Sequence, residues 1–391
     1  NDPTGCTSGT DNAEWQKIGQ TWSPMQVAYA AGYDPDNDTN PDPLLIMGGG
    51  YDICEDYDSG SGAVNPANNS CSGDPAGSLI YVLDAMTGAV LTTLNTDRSV
   101  TGAVLVVPVS DNDPKIKWAY ATDTGGNVYR ISGIDENTAI SNTAPANWTI
   151  TKIASLGCGP IDAGDDPSEL GACSNNRKFL FGPDVVRLPG SDRVGVFVGS
   201  GDREKPLESY SANHDVENHF FAMIDYPANS SWLTNAGDAT LGGNCGANLI
   251  CPRTLTDVNI DPNSPNTPGP WGWRVELDDG EQVVTGALTL ANVVNFSTHI
   301  PATPDAEECT SNLGTATTYN LQYDTGEGEK NIVPDGGLIP TPVGGMVILD
   351  DGTVVPFCIG CDKDSPIASK KVTGADEYEI GIGRVYWNIL K

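Results

Sequence analysis

The chain has 391 residues, 45 of them glycine and 28 proline, which is punctuation for many strands and few helices in a chain long enough to bury a large core. Its 52 acidic residues against 20 basic leave a net charge of −32, which excludes nucleic-acid backbones and anionic membrane surfaces as partners because the electrostatic term is repulsive. Cations are the expected companions, and dense surface aspartate also keeps a secreted protein soluble. No run of 18 apolar residues occurs, so no membrane insertion is expected. The polar, turn-like start at Asn1 suits a mature or excised fragment.

In chain order, one unit recurs: an apolar strand, a corner of Asp and Gly where the chain turns sharply, and a second strand. LLIMGGGYD (44–52) leads to SLIYVLDAMTGAVL (78–91), and WAYATDTGGNVYRI (118–131) repeats the idea. YRISGIDENTAI (129–140) has the form of a strand, an acidic turn and a return strand. VGVFVGSGDREKPL (194–207), a polar insert and NHFFAMID (218–225) form the most distinctive copy. Trp271-Gly272-Trp273-Arg274 alternates like a strand, and Tyr323-Asp324-Thr325-Gly326, after the apolar run 283–300, marks a further corner. Such sheets cannot bury both faces alone, whereas radial stacking gives every face a neighbour. The predicted class is therefore an all-β propeller, read as one domain over 1–391, with long insertions at the blade tips.

Ten cysteines indicate an oxidising compartment. Their spacing predicts local staples, Cys54 with Cys71, Cys158 with Cys173 and Cys245 with Cys251, each closing a segment poor in core residues. Cys6, Cys309, Cys358 and Cys361 remain, and Cys358-Ile-Gly-Cys361 either bridges itself or reaches the distant pair. Zinc is not expected, because His214, His219 and His299 lack ligand spacing and there is no second CxxC.

Asp34, Asp36, Asp38 and Asp42 occupy positions 1, 3, 5 and 9 of an EF-loop-like string, DPDNDTNPD, a candidate Ca²⁺ site. Thr39 stands at the usual glycine position and no Glu follows at position 12, so a solvated turn is the alternative. Asp52, Glu55, Asp56 and Asp58 form a second acidic cluster with poorer spacing. Asp202-Arg203-Glu204 reads as a structural corner, with Asp202 capping the turn and Arg203 pairing with Glu204 or a carboxylate of another blade. Asp123, before Gly125-Gly126, reads as a corner in the same way.

The segments GQTWSPMQV (19–27), LLIMGGGYD, SLIYVLDAMTGAVL, YATDTGGNVYRI (120–131), VFVGSGDREKPL (196–207), NHFFAMID, GEQVVTGALTLANVVNFSTHIP (280–301) and RVYWNIL (384–390) together resemble the C-terminal propeller of PilY-type type IV pilus tip adhesins. The resemblance implies a modified propeller of about seven blades with disulfide-stapled insertions. It further implies a surface location at the pilus tip of a Gram-negative-type cell, pilin or minor pilins as partners, and a part in pilus assembly, extension and attachment to a host or surface ligand. The von Willebrand A-like region that precedes this domain in the family is absent from these residues. The family's Ca²⁺ loop falls on Val109, Asp111, Asp113, Lys115 and Lys117, where two of four acidic ligands are lost and a Lys117 ammonium can neutralise Asp111 or Asp113. No tight Ca²⁺ is expected there.

No enzymatic motif is found. A quinoprotein dehydrogenase is the catalytic alternative, but no two cysteines are adjacent and the eight tryptophans lack a docking repeat. A GxSxG elbow and a GxxxxGK[ST] loop are missing as well. A glycan-binding module is the third reading, with Trp232, Trp271 and Trp273 as stacking candidates, against inter-blade packing of the same rings.

Overall fold

The computed structural model describes residues 15–38, 40–56, 75–110, 112–158, 176–213, 216–236, 248–302, 313–333, 336–348, 354–361 and 369–371. Among them there is no α-helix, and the strands form five sheets in chain order. The first sheet is β1 (Gln26–Tyr29), β2 (Pro43–Gly48), β3 (Leu79–Asp84) and β4 (Val90–Asn95). The second is β5 (Leu105–Ser110), β6 (Asp113–Thr122), β7 (Asn127–Ser132) and β8 (Thr149–Ser155). In the third, β9 (Asp184–Arg187), β10 (Val194–Gly199), β11 (His219–Asp225), β12 (Thr256–Asp257) and β13 (Gly272–Glu276) assemble in the order β12-β13-β11-β10-β9. The fourth holds β14 (Gln282–Val283), β15 (Leu288–Leu290), β16 (Val293–Ile300), β17 (Thr315–Gln322) and β18 (Gly328–Val333), and the fifth β19 (Val343–Ile348), β20 (Val354–Ile359) and β21 (Ser369–Lys371).

Strand alternation explains why these sheets stack. Successive residues of a strand point to opposite faces, and here both faces are apolar. On β6, Ala119 and Ala121 join Leu44, Ile46 and Val82 of the first sheet, while Trp118 and Tyr120 join Val196, Val198 and Phe221 of the third. On β11, Phe221 and Met223 face the second sheet, while Phe220 and Ala222 pack with Phe296 and Tyr319 of the fourth. The Phe220 and Phe296 rings stack with centroids 3.8 Å apart. A sheet buried on both faces by its sequence neighbours is the repeating unit of a propeller. The fold is an all-β propeller, with five of its sheets among the described residues.

The predicted corners form as strand-turn-strand units: β3 to β4, β6 to β7, β10 to β11 and β17 to β18 pair antiparallel. At the β6–β7 corner, Asp123 Oδ1 accepts the backbone N–H of Gly125 and of Asn127, and Gly126 sits at φ +71°. A Cβ on Gly126 would collide with Gly157, so only glycine fits. YRISGIDENTAI is corrected, however: it holds no return strand. The Asp135 carboxylate accepts Asn137 N–H and the Thr138 hydroxyl, curling 133–140 into a loop with Ile140 buried, and the chain returns only at β8.

Cys358 and Cys361 are bridged to each other, with Cα atoms 5.7 Å apart. Cys54, Cys158 and Cys251 are also disulfide-bonded, whereas Cys6, Cys71, Cys173, Cys245 and Cys309 lie outside the described residues, as do Asp58, Asp111, His214 and the segment 384–390. No described helix is long and apolar enough to cross a membrane.

Candidate functional site

The registers place the ends of β2, β6 and β10 opposite the starts of β3, β7 and β11, and the loops at those ends converge on one another. Glu55, which follows β2, is fully buried. Its Oε1 accepts Arg98 Nη2–H at 2.7 Å and the Thr124 hydroxyl at 2.6 Å. Its backbone carbonyl accepts the ammonium groups of both Lys178 and Lys205 at 3.0 Å. Lys178 Nζ lies 3.0 Å from Asp202 Oδ2 and 3.8 Å from Glu204 Oε1, and Lys205 Nζ lies 2.9 Å from Asp202 Oδ2. Three sheets thus meet through a buried knot of carboxylates and cations.

The Asp202-Arg203-Glu204 corner is present but wired differently from the expectation. Asp202 pairs with Lys178 and Lys205 instead of capping its turn, and Arg203 turns away to lie over the Phe181 ring, 5.9 Å from its centroid. The reason is reach: two buried lysines, one at position i+3 and one before β9, already stand against the carboxylates, and a third cation there would be uncompensated. Asp202 is held low, since Lys178, a hydrogen bond from Glu204 and Lys205 outweigh the effect of burial. Burial also pulls the Lys178 ammonium down, but Asp202, Glu55 and Glu204 hold it above its ordinary value.

Glu204 behaves oppositely. Burial, followed by the hydrogen bond and charge of Asp202, pushes its carboxyl up to about 8. Geometry agrees: Asp202 Oδ1 and Glu204 Oε2 are both buried with no donor, and the Tyr51 hydroxyl, with one proton, lies between Asp56 Oδ1 at 2.8 Å and Glu204 Oε1 at 2.9 Å. A proton on Glu204 Oε2, shared with Asp202 Oδ1, supplies the missing donor between these two atoms and removes the negative charge from the Glu204 oxygen that faces Tyr51. The folded protein then keeps a proton that the unfolded chain releases near 4.5. This contribution to stability is fully present below about 4.5 and is lost as pH rises to about 8. Glu204→Gln is therefore expected to flatten the fall of Tm between these limits and to melt higher than wild type above pH 8. Parallel pH–Tm curves for the two proteins would rule out the shared proton.

Beside the knot, a cavity of about 610 Å³ opens between residues 101–105, 180–184 and 286–287. Its wall is largely apolar, with Leu105, Phe181 and Pro183, and Thr101, Asp184, Arg203 and Glu204 contribute its polar part. Trp22, 45% exposed, stands at the wall and stacks on Tyr51 with centroids 4.2 Å apart. Neither Trp22 nor the cavity is signalled by sequence, because the lining comes from segments up to 265 positions apart, from Trp22 to Ala287.

The acidic loop is partly assembled. Carboxylate oxygens of Asp34, Asp36 and Asp42 lie within 4.8 Å of one another, and Asn37 takes the left-handed conformation that bends the loop round them. Asp38 stands apart, its Oδ1 accepting Asn40 N–H at 2.8 Å. Desolvation and then Asp36, Asp34 and Asp38 push the Asp42 carboxyl up, and its Oδ2 has no donor.

In the degenerate family loop, Lys115 and not Lys117 neutralises Asp113, at 2.8 Å. Lys117 reaches Asp192 instead, at 3.4 Å. Alternation explains this: Asp113, Lys115 and Lys117 are all on β6, and the pleat brings Asp113 and Lys115 together at i, i+2. Of the tryptophans, Trp273 is buried and donates Nε1–H to Tyr323 O, Trp271 packs on the core, and Trp232 donates Nε1–H to Ile224 O beneath Arg193. They are packing groups. His299 is buried with Nε2 2.7 Å from Leu313 O, and His219 is buried at the start of β11.

No protein-family model matches the chain, and no curated protein sequence matches it. Among solved structures it is similar to the crystal structure of the Pseudomonas aeruginosa PilY1 C-terminal domain, with a TM-score of 0.51 and 14% identity over 87% of this chain and 71% of that one. The fold is PilY1-like. A likeness at this identity speaks for fold and not for activity. The Dos1 propeller (TM-score 0.33, 10% identity, 90% of this chain and 63% of that one) and the quinohemoprotein alcohol dehydrogenase of Comamonas testosteroni (TM-score 0.36, 13% identity, 92% and 49%) also match, at lower scores.

Proposed function

We propose that this protein is a pilus-associated propeller, exported and surface-exposed, that works by docking and adhesion and not by catalysis. Its partners in this reading are pilin or minor pilins, and its role is in type IV pilus assembly, extension and attachment. The observation that carries the proposal is the correspondence of fold with the PilY1 C-terminal domain over most of the chain. The buried knot supports it, since its carboxylates and cations are engaged with each other, as suits a rigid scaffold. The test is co-sedimentation of the purified chain with sheared type IV pili, alongside an assay of alcohol oxidation with added pyrroloquinoline quinone. Saturable pilus binding without turnover is expected. Quinone-dependent turnover, or no pilus binding, would overturn the assignment.

Ca²⁺ belongs to the same proposal, at Asp34, Asp36 and Asp42, whose clustered carboxylates and donorless Asp42 Oδ2 suit a hard cation. Calorimetric titration of chelator-treated protein is expected to show one Ca²⁺ bound, with the heat lost in Asp34→Ala/Asp36→Ala. Heat that survives the double substitution would leave the loop a solvated turn.

A second reading, glycan binding, is favoured by Trp22 alone: a half-exposed ring at the cavity wall, with the Arg203 guanidinium lining the same cavity. On a glycan array, signal abolished by Trp22→Ala would establish it, and an empty array would dismiss it.

A further inference from the structure

The polar insert between β10 and β11 ends on a set of side chains that the pilus reading does not use. His219 opens β11 and lies directly opposite Glu276, the last residue of β13, in the antiparallel register. Glu217 precedes His219 by two positions. One ligand atom from each of the three lies within 4.8 Å of the others. The carboxylates of Glu217 and Glu276 face solvent and the imidazole is fully buried. Cross-strand partners lie on one side of a sheet, so the meeting of His219 and Glu276 follows from the register, and Glu217 joins them from the end of the insert.

The imidazole is held in an unusual environment. His219 Nε2 is buried and no described group donates to it; the nearest oxygen is Glu217 Oε1, at 3.4 Å. The other ring nitrogen, Nδ1, faces the Glu217 backbone carbonyl, also at 3.4 Å. A neutral imidazole carries one lone pair, and here both nitrogens look at oxygen atoms. With Nδ1–H directed at the carbonyl, the lone pair on Nε2 points at a carboxylate, a contact that a cation between them converts from repulsion into coordination. The Phe221 ring, stacked on the imidazole with centroids 5.7 Å apart, fixes the ring plane.

We propose that Glu217, His219 and Glu276 form a binding site for a divalent transition metal, Zn²⁺ being the fitting probe, which clamps the insert to the third sheet. One imidazole with two carboxylates suits zinc and its first-row neighbours, whereas Ca²⁺ takes oxygen ligands only. The carbonyl that receives Nδ1–H is the outer-shell partner that orients a ligating imidazole. Arg177 and Arg274 stand close by, and each donates to a backbone carbonyl among its contacts. Arg177 Nε–H donates to Glu217 O at 2.6 Å, and Arg274 Nη1–H donates to Pro252 O at 3.0 Å. Two carboxylates offset these two guanidinium charges and leave the metal's own charge uncompensated, which weakens the site relative to one with an excess of anionic ligands.

The test is titration of ZnCl₂ into the chelator-treated full chain, read by calorimetry and by the Tm that bound metal raises. Wild type is expected to bind one Zn²⁺ at this site, unaffected by Asp34→Ala/Asp36→Ala and not displaced by excess Ca²⁺. Glu276→Gln, which removes one of the three ligands while keeping its shape, is expected to weaken Zn²⁺ binding at least about 10-fold, with the rise in Tm on adding Zn²⁺ reduced relative to the same variant's own metal-free Tm, and His219→Phe to abolish it. Should His219→Phe fail to fold, Glu217→Gln decides in its place. Wild-type affinity retained in Glu276→Gln, displacement of Zn²⁺ by Ca²⁺, or no Zn²⁺ binding by wild type would each overturn the site.

Discussion

Lys178→Met is expected to destabilise the protein by about 3–5 kcal/mol, the range found when one partner of a buried ion cluster is removed. Lys178 sits before β9 and is buried. Its ammonium is the cation common to Glu55, Asp202 and Glu204, with Nζ 3.4, 3.0 and 3.8 Å from their carboxylates. Methionine matches its length but leaves Asp202 with Lys205 alone and deprives the Glu55 carbonyl of one of its two donors. A buried charge without its partner costs more than the pair contributes, and so the loss exceeds that of an exposed ion pair such as Lys117–Asp192, where the corresponding effect is at most about 1 kcal/mol. For a chain of this length the Tm falls by about 5 °C, taking roughly 2 cal/mol/K of unfolding entropy per residue. Denaturant unfolding of both variants measures this. A loss for Lys178→Met no larger than that for Lys117→Met would mean that the knot is solvated.

Asp225→Ala is expected to cost a similar amount, about 3–5 kcal/mol, for a reason specific to blade stacking. Asp225 ends β11 in the third sheet, and its carboxylate receives the second sheet's Arg130 Nη1–H, 2.7 Å from both oxygens, and the Tyr120 hydroxyl at 2.8 Å. Both members of the pair are buried, and Arg130 Nε already lacks a partner. Alanine would strand a guanidinium between two apolar sheet faces, beside Trp118. Removing both charges relieves this. The double variant Arg130→Met/Asp225→Leu is expected to be more stable than Asp225→Ala, because well-packed apolar replacements of a buried pair are often neutral. A double variant less stable than Asp225→Ala would show instead that the pair supplies net stability, and thermal unfolding of the three proteins distinguishes the cases.

Both predictions concern contacts between sheets, and this is where sequence reading stopped. The strands themselves were legible. SLIYVLDAMTGAVL and WAYATDTGGNVYRI carry apolar runs on either side of an Asp/Gly corner, and β3, β4, β6 and β7 fall on them. Where the corner chemistry was misread, in YRISGIDENTAI, the acidic stretch was locally satisfied by Asp135 and no pairing partner followed. The corner at Asp202 was found but its partners were not, since Lys178 precedes it by 24 positions and Glu55 by about 150. The same limit hid Glu276, which lies 57 positions beyond His219 and meets it only through strand register.

By itself, then, the sequence determined the quantities that depend on composition and short spacing: a β-rich chain with turns at its Asp/Gly corners, two-faced strands that require stacking, and a strongly acidic net charge. Period-2 alternation and turn chemistry act within a few residues, and those can be read directly. The order and register of strands, the burial of Glu55, Lys178, Asp202 and Glu204 in one knot, the turning of Arg203 toward Phe181, and the cavity beside Trp22 were decided only by the tertiary structure. Charge pairing and desolvation act through space across loops that the chain separates by tens to hundreds of positions, and no local pattern encodes which carboxylate a buried lysine will meet.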